Sequence, residues 1–336
     1  MAARTTAVLL MRSTARAQFL QQQTPTAAAS ASATLCAPRT CSSARTSLRF
    51  FSSSESNADA EFALGVQHLL GKIARSPDSP KSSVQYAVLH WTNAALQGHV
   101  KAQSALGNLY MKGHQEIKRN EQLAQQFLQQ AADAGHASSC HELGKLFFYG
   151  SNAISIDLVK AFEYWSRAAD NGHMAASYDL AYMYERGIHV VQDEAKAVSL
   201  YEQAARKGMP EAHRALGNVF LHGHGVDKDL EKAAAYFKTA AEAGFAPAQF
   251  DLGACYMLGR GVAQDFPQAA QMFFLAAEAG IPEAQLCLAQ LFERGQGVTA
   301  DRAKAVQYYQ FAAQNGLNEA KTALDRLGEP HDPPKQ

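Results

Sequence analysis

A glycine returns along this chain at an almost fixed interval. Gly98, Gly135, Gly172, Gly208, Gly244, Gly280 and Gly316 are separated by 37, 37, 36, 36, 36 and 36 residues. An Ala-Ala pair ends three residues before each, at 94–95, 131–132, 168–169, 204–205, 240–241, 276–277 and 312–313. A period of this length is the signature of stacked supersecondary units, because one such unit cannot bury its apolar face alone. The repeat therefore sets the fold class before any single residue is considered.

Each unit resolves into two helices. The first, helix A, follows small-x-x-x-L-[GA]-x-x-aromatic, as in Ala212/Leu216/Gly217/Phe220 and Ala248/Leu252/Gly253/Tyr256. Its i, i+4, i+8 spacing makes one apolar stripe. Seven residues after the leucine comes Gly71, Gly113, Gly150, Gly187, Gly223, Gly259 or Gly295, placed to take the left-handed conformation that ends a helix. Helix B is expected to start at Ser83, Asn120, Asp157, Asp193, Asp229, Asp265 and Asp301, whose short side-chain oxygens accept from the first free N–H groups. Eight residues on stands a large apolar side chain: Trp91, Leu128, Trp165, Tyr201, Phe237, Phe273 or Tyr309. Burying each contributes about 1.5–3 kcal/mol. The paired alanines let neighbouring helices approach closely.

The turn HGHGVDKD (222–229) corresponds to LGRGVAQD (258–265) and RGQGVTAD (294–301). The glycines recur and the histidines do not, so His222 and His224 read as variable surface residues rather than metal ligands. A metal site would need a third ligand close by.

The pattern A-x-x-x-L-G-x-x-Y, then G-x-G-V-x-x-D, then A-x-x-x-[YFW]-x-x-A-A-x-x-G resembles the Sel-1-like repeat, a relative of the tetratricopeptide repeat. PEAHRALGNVFLHGHGVDKDLEKAAAYFKTAAEAG (210–244) is its fullest instance here. The resemblance covers about residues 59–317. It implies an all-α fold, a right-handed superhelical solenoid of about seven antiparallel helix pairs, with a scaffold or adaptor role. The family serves in protein quality control, signalling and complex assembly, with some mitochondrial members. A cysteine-rich bacterial branch is linked to β-lactam hydrolysis and carries a disulfide in each repeat. Here Cys140, Cys255 and Cys287 remain outside the N-terminal stretch, without CxxC spacing, and read as small buried hydrophobes. NEAKTALDRLG (318–328) repeats the start of helix A with charges on its outer face, as a C-terminal capping helix requires. Residues 329–336 form a short tail.

Residues 1–54 contain six arginines and no Asp, Glu or Lys. Setting those six aside leaves 25 basic against 31 acidic residues, about −6 for the rest of the chain. An Arg-, Ser- and Ala-rich start is the composition of an organellar transit peptide. RFFSS (49–53) resembles a mitochondrial processing site. The expectation is a transit peptide over 1–51, a linker over 52–58, and a mitochondrial protein, in the matrix.

On helix A, the positions two before and two after the leucine lie 160–200° from the apolar stripe at about 100° per residue. Read along the repeats they give Ser104/Asn108, His141/Lys145, Tyr178/Tyr182, Arg214/Asn218, Phe250/Ala254 and Leu286/Gln290. If helix A lines a concave groove, Tyr178, Tyr182, Arg214 and Asn218 are candidate protein-binding residues, with His141, Lys145 and Asn108 beside them, because Tyr and Arg dominate binding hot spots. Phe250 and Leu286 read instead as core between units. Asn108 and Asn218 also occupy the place of the tetratricopeptide carboxylate clamp, but Lys145 and Tyr182 interrupt that series. No nucleophile, acid–base pair or metal set stands apart from the repeat, so an enzyme is not expected, and no cofactor. His99, His136 and His173 read as half-buried packing histidines. An organellar RNA-binding helical repeat is the alternative, opposed by the negative balance.

Overall fold

The computed structural model describes residues 57–73, 82–114 and 116–331. The expected transit peptide, most of the linker, and the end of the tail lie outside them. Helix A of the successive units is α1 (Asn57–Leu69), α3 (Val100–Lys112), α5 (Ala137–Tyr149), α7 (Met174–Arg186), α9 (Pro210–His222), α11 (Ala246–Leu258) and α13 (Pro282–Arg294). Helix B is α2 (Ser83–Leu96), α4 (Glu121–Asp133), α6 (Leu158–Asp170), α8 (Glu194–Arg206), α10 (Leu230–Glu242), α12 (Phe266–Glu278) and α14 (Arg302–Gln314). The capping helix α15 (Asn318–Leu327) follows. Each helix packs against its chain neighbours, which makes a stack of helical hairpins closed by one extra helix.

Helix B begins as its cap residues dictate. The side chains of Asn120, Asp157, Asp193, Asp229, Asp265 and Asp301 each accept from the backbone N–H three residues on. In the first unit the cap is Ser82, not Ser83. Its hydroxyl accepts from the Gln85 N–H while the Gln85 side chain accepts from the Ser82 N–H. Of the two serines only Ser82 has a glutamine three residues on, so it and not Ser83 closes this reciprocal pair.

Helix A uses two different devices. In units two to four, His99, His136 and His173 are N-caps: each Nδ1 accepts from the N–H of Ala102, Ser139 or Ala176. They are therefore more than packing residues. In units five to seven the cap positions are Met209, Phe245 and Ile281, which make no side-chain bond, and proline enters at Pro210, Pro247 and Pro282. A proline there has no N–H to leave unsatisfied and is already set to the helical φ.

The L-G pair of helix A is a bed for the large side chain of helix B. A Cβ added at Gly65, Gly107, Gly144, Gly217 or Gly253 would lie 2.2–2.8 Å from Trp91, Leu128, Trp165, Phe237 or Phe273. Glycine inside a helix costs roughly 1 kcal/mol, and the close approach of a large buried side chain offsets it. Units four and seven differ together at three places. Ala181 and Ala289 replace the glycine, Tyr201 and Tyr309 are the stacked rings, and both hydroxyls donate to carboxylates, Glu185 at 2.7 Å and Glu293 at 2.6 Å. A buried tyrosine hydroxyl needs such a partner.

Neighbouring units meet at the second glycine of the turn. Gly225, Gly261 and Gly297 have φ of +70°, +70° and +72°, and an added Cβ would fall 2.6, 1.8 and 2.2 Å from the N-terminal residues of α8, α10 and α12. The turn therefore lies flat on the preceding unit. In unit four this place is taken by His189, at φ 66°, with its ring 5.9 Å from that of Phe162 on α6. The first glycine of the turn is left-handed, as expected, at Gly187, Gly223, Gly259 and Gly295. Gly113 and Gly150 are not: their ψ values are 171° and −176°. The extra residue of the 37-residue units is absorbed here in a tight turn, closed by the His114 N–H to Ile117 O (2.8 Å) or the Ser151 N–H to Ile154 O (2.7 Å).

Candidate functional site

The A helices are tied side by side. His99 Nε2 lies 3.1 Å from Asp59 (α3 to α1), and His141 Nε2 lies 2.8 Å from Asp179 (α5 to α7). The Arg214 guanidinium pairs with Asp251 (α9 to α11), and Arg326 reaches both oxygens of Glu293, at 2.6 and 2.8 Å (α15 to α13). These bonds join the A helices in pairs along the stack and leave the α3–α5, α7–α9 and α11–α13 seams of this wall without such a tie among the described residues.

The seven candidate residues divide by how far that wall absorbs them. His141 is buried, bonded to Asp179, with its ring 4.6 Å from that of His173. Tyr178 packs on Tyr201 at 5.4 Å between ring centres, and burial, with Asp179 nearby, pushes its hydroxyl up to about 12. Arg214 spends its charge on Asp251. Lys145 is held 3.1 Å from Glu142 on its own helix. Tyr182, Asn108 and Asn218 are half-buried, and the Arg186 guanidinium sits 5.8 Å from the Tyr182 ring centre. Phe250 and Leu286 pack against the core, as their apolar character indicated. Among the candidates, Tyr182 on α7 and Asn218 on α9 thus hold the same ladder position in units four and five, with no bond joining them.

On α7 stands a residue that the ladder rule passes over. Glu185 stands five residues after Leu180, and its carboxylate serves the Tyr201 hydroxyl. Burial first, and then Glu185, hold the Tyr201 proton firmly on, so the tyrosine is a permanent donor to this carboxylate. The signal was present in the sequence as the joint replacement of glycine by alanine and of an apolar residue by glutamate in two units.

The described residues hold no cluster of three or more His, Cys, Asp or Glu placed to bind a metal. His222 and His224 are both exposed, 5.6 Å apart between ring centres. The three described cysteines are free, and burial pushes Cys255 and Cys287 up to about 11, far from the thiolate form that nucleophilic chemistry uses. No described helix is long and apolar enough to cross a membrane.

Helical hairpins stacked by Ala-Ala pairs, with a long glycine turn and a wall of A helices, define the tetratricopeptide-like class of repeat scaffold. The Sel1 repeat signature matches residues 100–136, 137–173, 175–209, 210–245, 246–281 and 282–317, and the chain belongs to the Sel1 repeat family. The first unit lies outside these matches, in keeping with its longer loop. Among solved structures, the chain is similar to a protective antigen of uropathogenic Escherichia coli that displays an SLR fold. Identity is 26%, the TM-score 0.72, and the match covers 80% of this chain and 56% of that one. The chain thus spans little more than half the length of that protein. It is also similar to a Sel1 repeat protein of Oxalobacter formigenes, at 26% identity and a TM-score of 0.66, over 77% of this chain and 98% of that one. No curated protein matches the chain.

Proposed function

We propose that the protein is a mitochondrial adaptor that binds another polypeptide along the wall of A helices and serves protein assembly, quality control or stress signalling there. The observation that carries the binding surface is the seam between α7 and α9. Tyr182 and Asn218 are half-buried there without bonding to each other, while the equivalent seams on either side are closed by His141–Asp179 and Arg214–Asp251. Tyrosine at the centre of a surface supplies large contact area at small entropic cost. The mitochondrial address rests on the six arginines and absent acids of residues 1–54. An organelle with a negative interior draws such a segment inward.

The test is import of the full chain into isolated mitochondria, followed by crosslinking and capture. Processing to a shorter, protease-protected form supports the address, and an unprocessed, protease-sensitive chain refutes it. Partners retained by the natural sequence and lost from a Lys145→Ala, Tyr182→Ala, Asn218→Ala variant of unchanged helicity place binding on the wall. Tyr178 is left intact because its ring packs on Tyr201. An unchanged partner set would move the surface elsewhere.

A further inference from the structure

The chain contains one site twice, filled once. In unit seven, Ala289, Tyr309 and Glu293 form a set in which the buried tyrosine hydroxyl donates to the glutamate. The Arg326 side chain of the next A helix then closes on both carboxylate oxygens. Unit four repeats the set as Ala181, Tyr201 and Glu185. Arg326 follows Glu293 by 33 residues, and the residue 33 after Glu185 is Asn218. Asparagine has neither the charge nor the length of that arginine, and among the described residues no hydrogen bond or ion pair joins Glu185 to α9. The remaining units carry Leu69, Met111, Phe148, Leu221 or Met257 where these two carry glutamate, so the acid is a departure shared by two units rather than part of the repeat.

The ion pair of Glu185 with Arg186 does not replace Arg326. Arg186 lies 3.6 Å away, beyond hydrogen-bond length. Moreover, Arg294 follows Glu293 just as Arg186 follows Glu185, yet Arg326 makes the hydrogen bonds in unit seven. The Glu185 side chain keeps 26% of its surface exposed, so its carboxylate is open to an incoming group.

We infer that Glu185 is the receptor for an arginine of the partner polypeptide, seated across the α7–α9 seam as Arg326 is seated on Glu293. This rests on the protein-binding reading above and names the chemistry that reading leaves open. The guanidinium meets both carboxylate oxygens, as Arg326 meets those of Glu293, a planar two-point geometry that favours arginine over lysine. The acidic balance of the chain after residue 54 favours a basic segment as partner over a phosphate backbone.

The test uses the full chain and a display library of random 12-residue peptides. The expected result is enrichment of peptides with arginine at one position. Changing that arginine to lysine, or making the Glu185→Gln substitution, should weaken the selected peptide about tenfold or more. Glu185→Gln keeps an oxygen for the Tyr201 hydroxyl, so the fold is retained. The decisive variant is Asn218→Arg, which copies Arg326 into unit four. It should raise the melting temperature and abolish peptide binding together, because the chain then fills its own site. Retained peptides with no arginine preference overturn the inference and leave protein binding standing. Arginine peptides indifferent to both Glu185→Gln and Asn218→Arg overturn it as well. Retention of no peptide at all also overturns it, and the crosslinking capture then decides the broader reading separately.

Discussion

Two alanine substitutions separate the two reasons a repeat glycine is fixed. Gly280 and Gly261 share a positive φ, +84° and +70°, but differ in surroundings. A Cβ at Gly280 meets nothing within 4 Å, whereas one at Gly261 would sit 1.8 Å from the Leu230 carbonyl oxygen and 2.3 Å from its carbon. Gly280→Ala therefore carries backbone strain alone, about 1–2 kcal/mol. Gly261→Ala carries the same strain and a collision with the backbone of α10, which cannot rotate aside as a side chain would. The collision adds about 1–3 kcal/mol by overpacking, for a total of roughly 2–5 kcal/mol. Urea unfolding followed by circular dichroism measures both. The collision falls at the boundary between units five and six, so Gly261→Ala should also loosen the coupling between them and broaden the transition. Equal destabilisation by the two substitutions would refute the claim that the turn seats on the preceding unit.

Three further outcomes follow from the geometry. His189 holds a positive φ where the next three units use glycine, so His189→Gly should stabilise the chain by about 1 kcal/mol, with any lost contact to Phe162 as the opposing effect; thermal unfolding reads the difference. Asp229→Ala removes the oxygen that accepts from the Lys232 N–H and should cost about 1 kcal/mol, whereas Asp229→Asn should cost far less, which the same measurement distinguishes. Burial, with Lys101 near His136 and with His141 near His173, holds both imidazoles below the usual 6.5. The unfolded chain therefore takes up these protons first. The stability they confer is full above that value and falls as the pH drops through it, because a protonated Nδ1 can no longer accept the capping N–H. A His136→Asn, His173→Asn variant should flatten this dependence between about pH 7 and pH 5, and an unaltered slope would sink the capping argument.

The hairpin fold was legible because its determinants are local and repeated. Asp157 or Asp301 announces a helix start by chemistry that acts over three residues, and seven copies remove ambiguity. What escaped was either displaced by one residue or decided between units. Ser83 and Ser82 are equal as caps until Gln85 completes the pair with one of them. His136 looked like a packing residue, since a ring nitrogen is a less usual cap than a carboxylate, and only the backbone shows the Ser139 N–H pointed at it. The wall itself was half legible. Its ladder of positions follows from helical spacing, and Phe250 and Leu286 fell where their apolar character put them. The bonds from His141 to Asp179 and from Arg214 to Asp251 join residues 37–38 apart in sequence, a separation no helical period addresses. Glu185 was passed over because its role comes from a tyrosine on another helix.

The flat contact of Gly225, Gly261 and Gly297 on the unit before each of them makes the C-terminal half of the chain modular in a genetic sense. Each of these turns touches the start of a helix B that begins with a capping aspartate, and the next turn presents the same surface to its successor. A duplicated or deleted block of 36 residues in this stretch would meet an interface already built to receive it. The N-terminal units, with 37-residue spacing, histidine caps and His189 in the seating position, have no such interchangeable joint. Length variation among descendants of this sequence should therefore accumulate after unit four, where whole repeats can enter or leave without a new contact having to be invented.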